Sequence, residues 1–189
     1  MTRVPALALV AFVGLSAPAW AQSIVLNGDF SDHPPTNPNG IGTVSFAEDT
    51  LTGWIVGGRS IDYYTTYWQE PPGLSNSIDL DGSYSGNQQG ALTQMLPTSS
   101  GAIYDVSFYF SGNPDCTGTT RVMLVSVDSY LHTYFWDPAV MGNSDSDMKW
   151  KLETFSFRAR SPKTSIVFAS VVPGICGPAI GGVSVVPAN

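Results

Sequence analysis

Asp62, Asp79 and Asp81 are the side chains whose type and spacing come nearest to acid–base chemistry. Asp79 and Asp81 stand two apart, and residues two apart on a strand project from the same face. Asp62, on a neighbouring predicted strand, would join them. Hydrolysis of a glycosidic bond needs two carboxyl groups flanking it. The plainer account makes Asp81-Gly82 a turn and has Asp79 bond loop amides. We favour that account, with Asp62 and Asp79 kept as candidate acceptors for a ligand's hydroxyls. No other nucleophile or base assembles. His33 sits in a Pro/Asn-rich loop, His132 in a predicted strand, and no G-x-S-x-G elbow occurs. The run Asn143-Ser144-Asp145-Ser146-Asp147 imitates the start of a calcium loop. Its sixth and twelfth positions are Met148 and Thr154, where Gly and Glu are required. A polar surface loop accounts for it, so we expect no catalytic residue, no metal site and no cofactor.

The aromatic residues point to a different kind of chemistry. Tyr63, Tyr64, Tyr67 and Trp68 crowd one segment, with Trp54 upstream and Trp136 and Trp150 downstream. Flat rings stack on the C–H faces of sugars while nearby carboxylates and carboxamides bond the hydroxyls. Alternation sends Tyr63 and Tyr64 to opposite faces, and Trp54, Tyr63 and Trp68 are expected in the core. Tyr64, Tyr67 and Trp136, nearest the turn signals, are the expected exposed platform.

The N-terminus reads as an export signal: Arg3, an apolar run from Ala6 to Leu15, then Ala19-Trp20-Ala21 as the cleavage site, with cleavage after Ala21. That run is too short to span a bilayer. Residues 22–189 then suit one domain with a sizeable core. A formal charge of −7 argues against nucleic acid and anionic membranes as partners. Charged residues make up only 12%, so hydroxyls and amides must supply the polar outer faces. In an oxidising compartment, Cys116 and Cys176 are expected to form a disulfide.

The elements that would position these groups are strands. In Ile103–Ser111, Tyr104, Val106, Phe108 and Phe110 fall on one face, a period of two. Residues 155–160 repeat the pattern with Arg158 and Arg160 outward, and 165–169 and 183–186 are short β-branched runs. Weaker strand candidates cover 24–26, 54–56, 60–64, 77–80, 91–95, 121–127 and 131–135. Turn signals separate them, and 31–39 reads as a surface loop. The expected fold is all-β, a β-sandwich or jelly roll.

Asn27-Gly28-Asp29-Phe30, Gly53-Trp54-Ile55-Val56, Ile61-Asp62-Tyr63, Tyr67-Trp68-Gln69 and Ser77–Gly82 occur in that order. Tyr104–Phe108, Ser111–Pro114 and Cys176–Ile180 follow. In this set the chain resembles the bacterial choice-of-anchor C family and its plant cell-wall relatives, the domain of unknown function 642. The resemblance implies a galactose-binding-like jelly roll, placed outside the cell and associated with polysaccharide. It also implies a bridge between Cys116 and Cys176. Folds of that kind often hold a structural calcium, which here would use the positions of Ser31 and Gly181, whose side chains offer no carboxylate, so no ion is expected there. The family's C-terminal anchoring tail has no counterpart after Pro187-Ala188-Asn189, which implies a released protein. The sequence therefore predicts an exported, non-catalytic carbohydrate-binding domain, with an adhesive protein-binding role and a glycosidase as the alternatives.

Overall fold

Alternation along the longest predicted strand carries directly into a sandwich. The computed structural model describes residues 23–46, 50–83, 89–116 and 118–188, and the expected export signal lies outside them. The strands are β1 Ile41–Ser45, β2 Ile55–Gly58, β3 Ser60–Tyr64, β4 Ser77–Asp79, β5 Gly90–Pro97 and β6 Ile103–Gly112. They continue as β7 Arg121–Val127, β8 Tyr130–Trp136, β9 Lys151–Arg158, β10 Lys163–Ser170 and β11 Pro178–Pro187. One turn of helix, α1 (Pro138–Met141), joins β8 to the segment before β9. Asp137 caps it by accepting from the Ala139 N–H, and Gly142 ends it at φ 66°.

Two antiparallel sheets face each other. One runs β1-β3-β4-β11-β6-β9 and the other β2-β5-β10-β7-β8. The core between them holds Trp54, Ile61, Tyr63, Phe108, Phe110, Val125, Ile166 and Phe168, as period-two alternation requires. Phe108 packs edge-on against Phe168 at 5.2 Å between ring centroids, the offset geometry aromatic quadrupoles favour.

Two expectations need correction. Residues 24–26 form no strand. The Ile24 N–H donates to the Val185 carbonyl, but the Leu26 backbone is taken up by the Gln94 amide, which accepts from its N–H at 2.7 Å and donates to its carbonyl at 2.9 Å. A side chain there stands in for a sheet partner. The outer faces are also less uniformly polar than the composition implied. The five-stranded sheet presents Thr93, Ser126, Thr133 and Ser165, yet Ile55, Met95, Leu131 and Phe135 are also exposed on it. The outer face of the six-stranded sheet, by contrast, is covered over β3 and β4 by loops, and this cover positions the candidate site.

Candidate functional site

The structure brings the sequence-selected carboxylates together but seals them from solvent. Asp62 and Asp79 are register partners across β3 and β4, on the face away from the main core, and both are fully buried. Asp62 accepts from the Thr43 hydroxyl at 2.5 Å, and from the Ser83 hydroxyl and N–H at 2.5 and 3.0 Å. Asp79 accepts from the Asp81 N–H at 2.8 Å, the Gly177 N–H at 2.9 Å and the Asn113 amide at 2.7 Å. Burial, then the nearby Asp81 charge, push its carboxyl well above the usual range, against those three donors. Asp62 and Asp79 thus tie loops to the sheet, and no ligand reaches them in this arrangement.

Tyr64 and Trp136, expected as exposed platforms, are also buried. Trp136 closes the end of β8 against Phe110, and its Nε1–H donates to the Asn143 side chain at 3.2 Å. Tyr64 does face away from the main core, as alternation required. The chain then folds back over it: Trp68 stacks on its ring at 3.7 Å, and Trp68 Nε1–H donates to the Ser77 hydroxyl at 2.8 Å. Tyr64, Trp68, Met148 and Ala179 make a second small core, with Tyr67 and Trp150 packed at its margin. Only Tyr67, of the three expected platform rings, keeps a partly open face.

This second core is held by bonds between two segments far apart in sequence. The Gln69 N–H donates to the Asp145 carbonyl at 2.6 Å, and the Gln69 side-chain oxygen accepts from the Met148 N–H at 2.9 Å. The Trp150 indole N–H donates to the Gln69 carbonyl at 2.7 Å, and the Ser111 hydroxyl fastens the Met148 carbonyl to β6 at 2.5 Å. The outer side of this lacing is a groove lined by Gln69, Glu70, Pro72, Asp147, Lys149 and Trp150. Sequence spacing gave no sign that Gln69 and Trp150 meet. The crowding of polar residues in 143–147 marked one wall, but as a loop without a role.

Charge in the groove is uneven. Neither Glu70 oxygen finds a donor within hydrogen-bonding geometry among the described residues. Burial pushes the Glu70 carboxyl up to about 7, with the Ser77 hydroxyl offsetting only part of that. Asp147, paired with the Lys149 ammonium and bonded by it, is held below the usual carboxylate range. Tyr67 donates its hydroxyl to Asp115 at 3.1 Å, and Asp115 adjoins Cys116 of the Cys116–Cys176 disulfide. The expected bridge is therefore present. Among the described residues no cluster of three His, Cys, Asp or Glu side chains fits a metal ion, and no helix is long and apolar enough to cross a membrane.

A two-layer antiparallel sandwich that carries its grooves on laced loops defines an all-β domain of the kind found in carbohydrate-binding modules. Residues 23–186 match the family described as Protein of unknown function (DUF642), and the chain belongs to that family. The sequence has no significant match among curated proteins. Among solved structures the chain is similar to TmCBM61 in complex with beta-1,4-galactotriose. That match has 14% identity and a TM-score of 0.53, and it covers 88% of this chain and 99% of the other. It is also similar to arabinose-bound MgGH51 α-L-arabinofuranosidase, at 11% identity and a TM-score of 0.55. There it covers 88% of this chain and only 26% of the enzyme. At such identities the likeness shows the fold.

Proposed function

We propose that this protein is an exported, non-catalytic carbohydrate-binding domain that meets extracellular or cell-wall polysaccharide through the Trp150 groove. One observation carries the reading. A partly exposed indole, fixed by its bond to the Gln69 carbonyl, stands in one groove with the Gln69 carboxamide, the Asp147 carboxylate and the Lys149 ammonium. An immobilised ring stacks on a sugar's C–H face at little entropic cost, and the polar groups around it offer both donors and acceptors to hydroxyls. The sandwich shared with a galactotriose complex supports the reading, as does a disulfide, which suits an oxidising compartment. Cleavage after Ala21 and a single domain over 22–189 belong to the same proposal, as does the placement implied by the choice-of-anchor C resemblance.

A glycosidase reading has one observation in its favour: Glu70 and Asp147 share the groove with their carboxyl groups pushed in opposite directions. Against it, the Glu70 oxygens are hidden from solvent and Asp147 is occupied by Lys149. Affinity electrophoresis through galactan, arabinogalactan, pectin and xylan tests the proposal. Retardation by at least one polymer, without release of reducing ends, is expected. Migration unaffected by all four would overturn it, and release of reducing ends would favour hydrolysis.

A further inference from the structure

A smaller recess of about 190 Å³ lies against the Cys116–Cys176 disulfide. Asp81, Arg121 and Ser170 line it together with both half-cystines, Thr119, Thr120, Val122 and the segment 172–175. Its polar groups are unequal in what they have left to give. The Arg121 guanidinium is buried and spends its protons on backbone. Nε–H and Nη2–H donate to the Asn113 carbonyl at 3.1 and 2.7 Å, Nη2–H also to Cys116 at 2.5 Å, and Nη1–H to Thr119 at 2.6 Å. It braces the turn that forms one wall. Asp81 is only 1% exposed; the Ser170 hydroxyl and the Gly90 N–H bond to its carboxyl group, yet its Oδ1 has no hydrogen-bond partner among the described residues. A buried acceptor in that state is costly unless something fills it.

Gly174 keeps room beside the carboxylate, since a Cβ there would stand 3.3 Å from Asp81 Oδ2. Val122, Val172, Pro173 and Ile175 add apolar surface. A metal ion is a poor occupant, because Asp81 contributes the single carboxylate among the lining residues and no three-ligand cluster exists among the described residues. The volume falls below the roughly 300–1,000 Å³ of sites that take drug-sized ligands. It suits a single ring that offers hydroxyl donors on one edge and C–H surface on a face.

We propose that this recess binds one neutral sugar ring at the end of a glycan, with Asp81 accepting its hydroxyls. This rests on the carbohydrate-binding reading and deepens it. The Trp150 groove holds the body of a chain, and the recess holds a terminus.

The test titrates the purified protein with the methyl glycosides of D-galactose, D-glucose, D-xylose and L-arabinose, followed by ligand-observed NMR. At least one should bind. Asp81→Asn should weaken that binding about tenfold or more by removing a charged acceptor. Ile175→Trp, a change at a half-exposed rim position, should abolish it by filling the recess. An unchanged melting temperature and retained polymer retardation in Ile175→Trp would show that fold and groove are intact. Binding of none of the four glycosides, or full binding in Ile175→Trp, overturns the inference. Either result leaves the groove reading standing if polymer retardation persists and is lost in Trp150→Ala. If wild type also fails to bind polymer, the wider proposal falls with it.

Discussion

The Asp79 carboxylate closes on the backbone N–H of Gly177, 98 residues later in the chain, at 2.9 Å from one oxygen and 3.1 Å from the other. The approach depends on glycine: a Cβ at 177 would stand 2.4 Å from Asp79 Oδ1 and 2.7 Å from the Asp81 nitrogen. Asp79→Ala would leave the Gly177, Asp81 and Asn113 donors unsatisfied in a buried place. We expect it to destabilise the fold by about 3 kcal/mol or more in urea unfolding. Gly177→Ala should destabilise by a similar amount, and the double variant by clearly less than the two together, because both break one contact. Strict additivity would count against this account.

Stability should fall as pH rises from about 4 to 7. Asp81 is raised from 3.8 to about 6 and Glu70 from 4.5 to about 7, both chiefly by burial, and Asp79 moves the same way. Between those bounds the folded protein holds protons that the unfolded chain has lost. The slope of unfolding free energy with pH is therefore negative there. Asp147 is shifted the opposite way, but it is an exposed pair with little weight. Melting temperature measured from pH 4.5 to 7 should decline, and Glu70→Gln should make the decline between about 5 and 7 shallower. A melting temperature that climbs over the same range would contradict it.

How far the sequence could be read depended on what each signal encodes. Parity alone placed Tyr104, Val106, Phe108 and Phe110 inward, and that holds. It also put Asp79 and Asp81 on one face with Asp62 able to join them, but β4 ends at Asp79, so Asp62 and Asp79 meet as register partners while Asp81 lies beyond the strand. Strand β1 escaped notice because only Val44 of its five residues is buried, so an edge strand left no alternation to detect. The burial of Tyr64 is the more instructive miss. Its outward direction was legible, but the Trp68 ring that covers it arrives through bonds from Gln69 to the 145–150 segment. Nothing in local periodicity encodes a contact spanning some eighty residues. The groove was illegible for the same reason.

Reducing the Cys116–Cys176 bridge should loosen both candidate sites at once. It links positions 60 residues apart, and its loss is expected to lower stability by about 4 kcal/mol in the chain-entropy model. For a domain of this size that corresponds to a melting temperature lower by about 10 °C. The half-cystines wall the recess, and Asp115, which accepts from the Tyr67 hydroxyl, immediately precedes Cys116. A Cys116→Ser, Cys176→Ser variant with unchanged melting would overturn this and leave the turn held by Arg121, the Asn113–Asp79 bond and the Tyr67–Asp115 bond.

Trp136 and Trp150 separate a structural tryptophan from a binding one. Trp136 is 3% exposed, packs edge-on against Phe110 at 5.5 Å and belongs to the main core. Trp136→Ala should therefore cost about 3–5 kcal/mol through the cavity it leaves, and affect polysaccharide binding only as the fold fails. Trp150 lies at the margin of the second core with part of its ring open, held by one bond to the Gln69 carbonyl. Trp150→Ala should shift the melting temperature by a few degrees at most and weaken retardation in a polysaccharide gel about tenfold or more. Trp150→Phe keeps a flat face but loses the bond that fixes its angle, so it should fall between wild type and alanine. If Trp150→Ala binds as wild type does while remaining folded, the groove is not the binding surface, because no other aromatic ring among the described residues lines it.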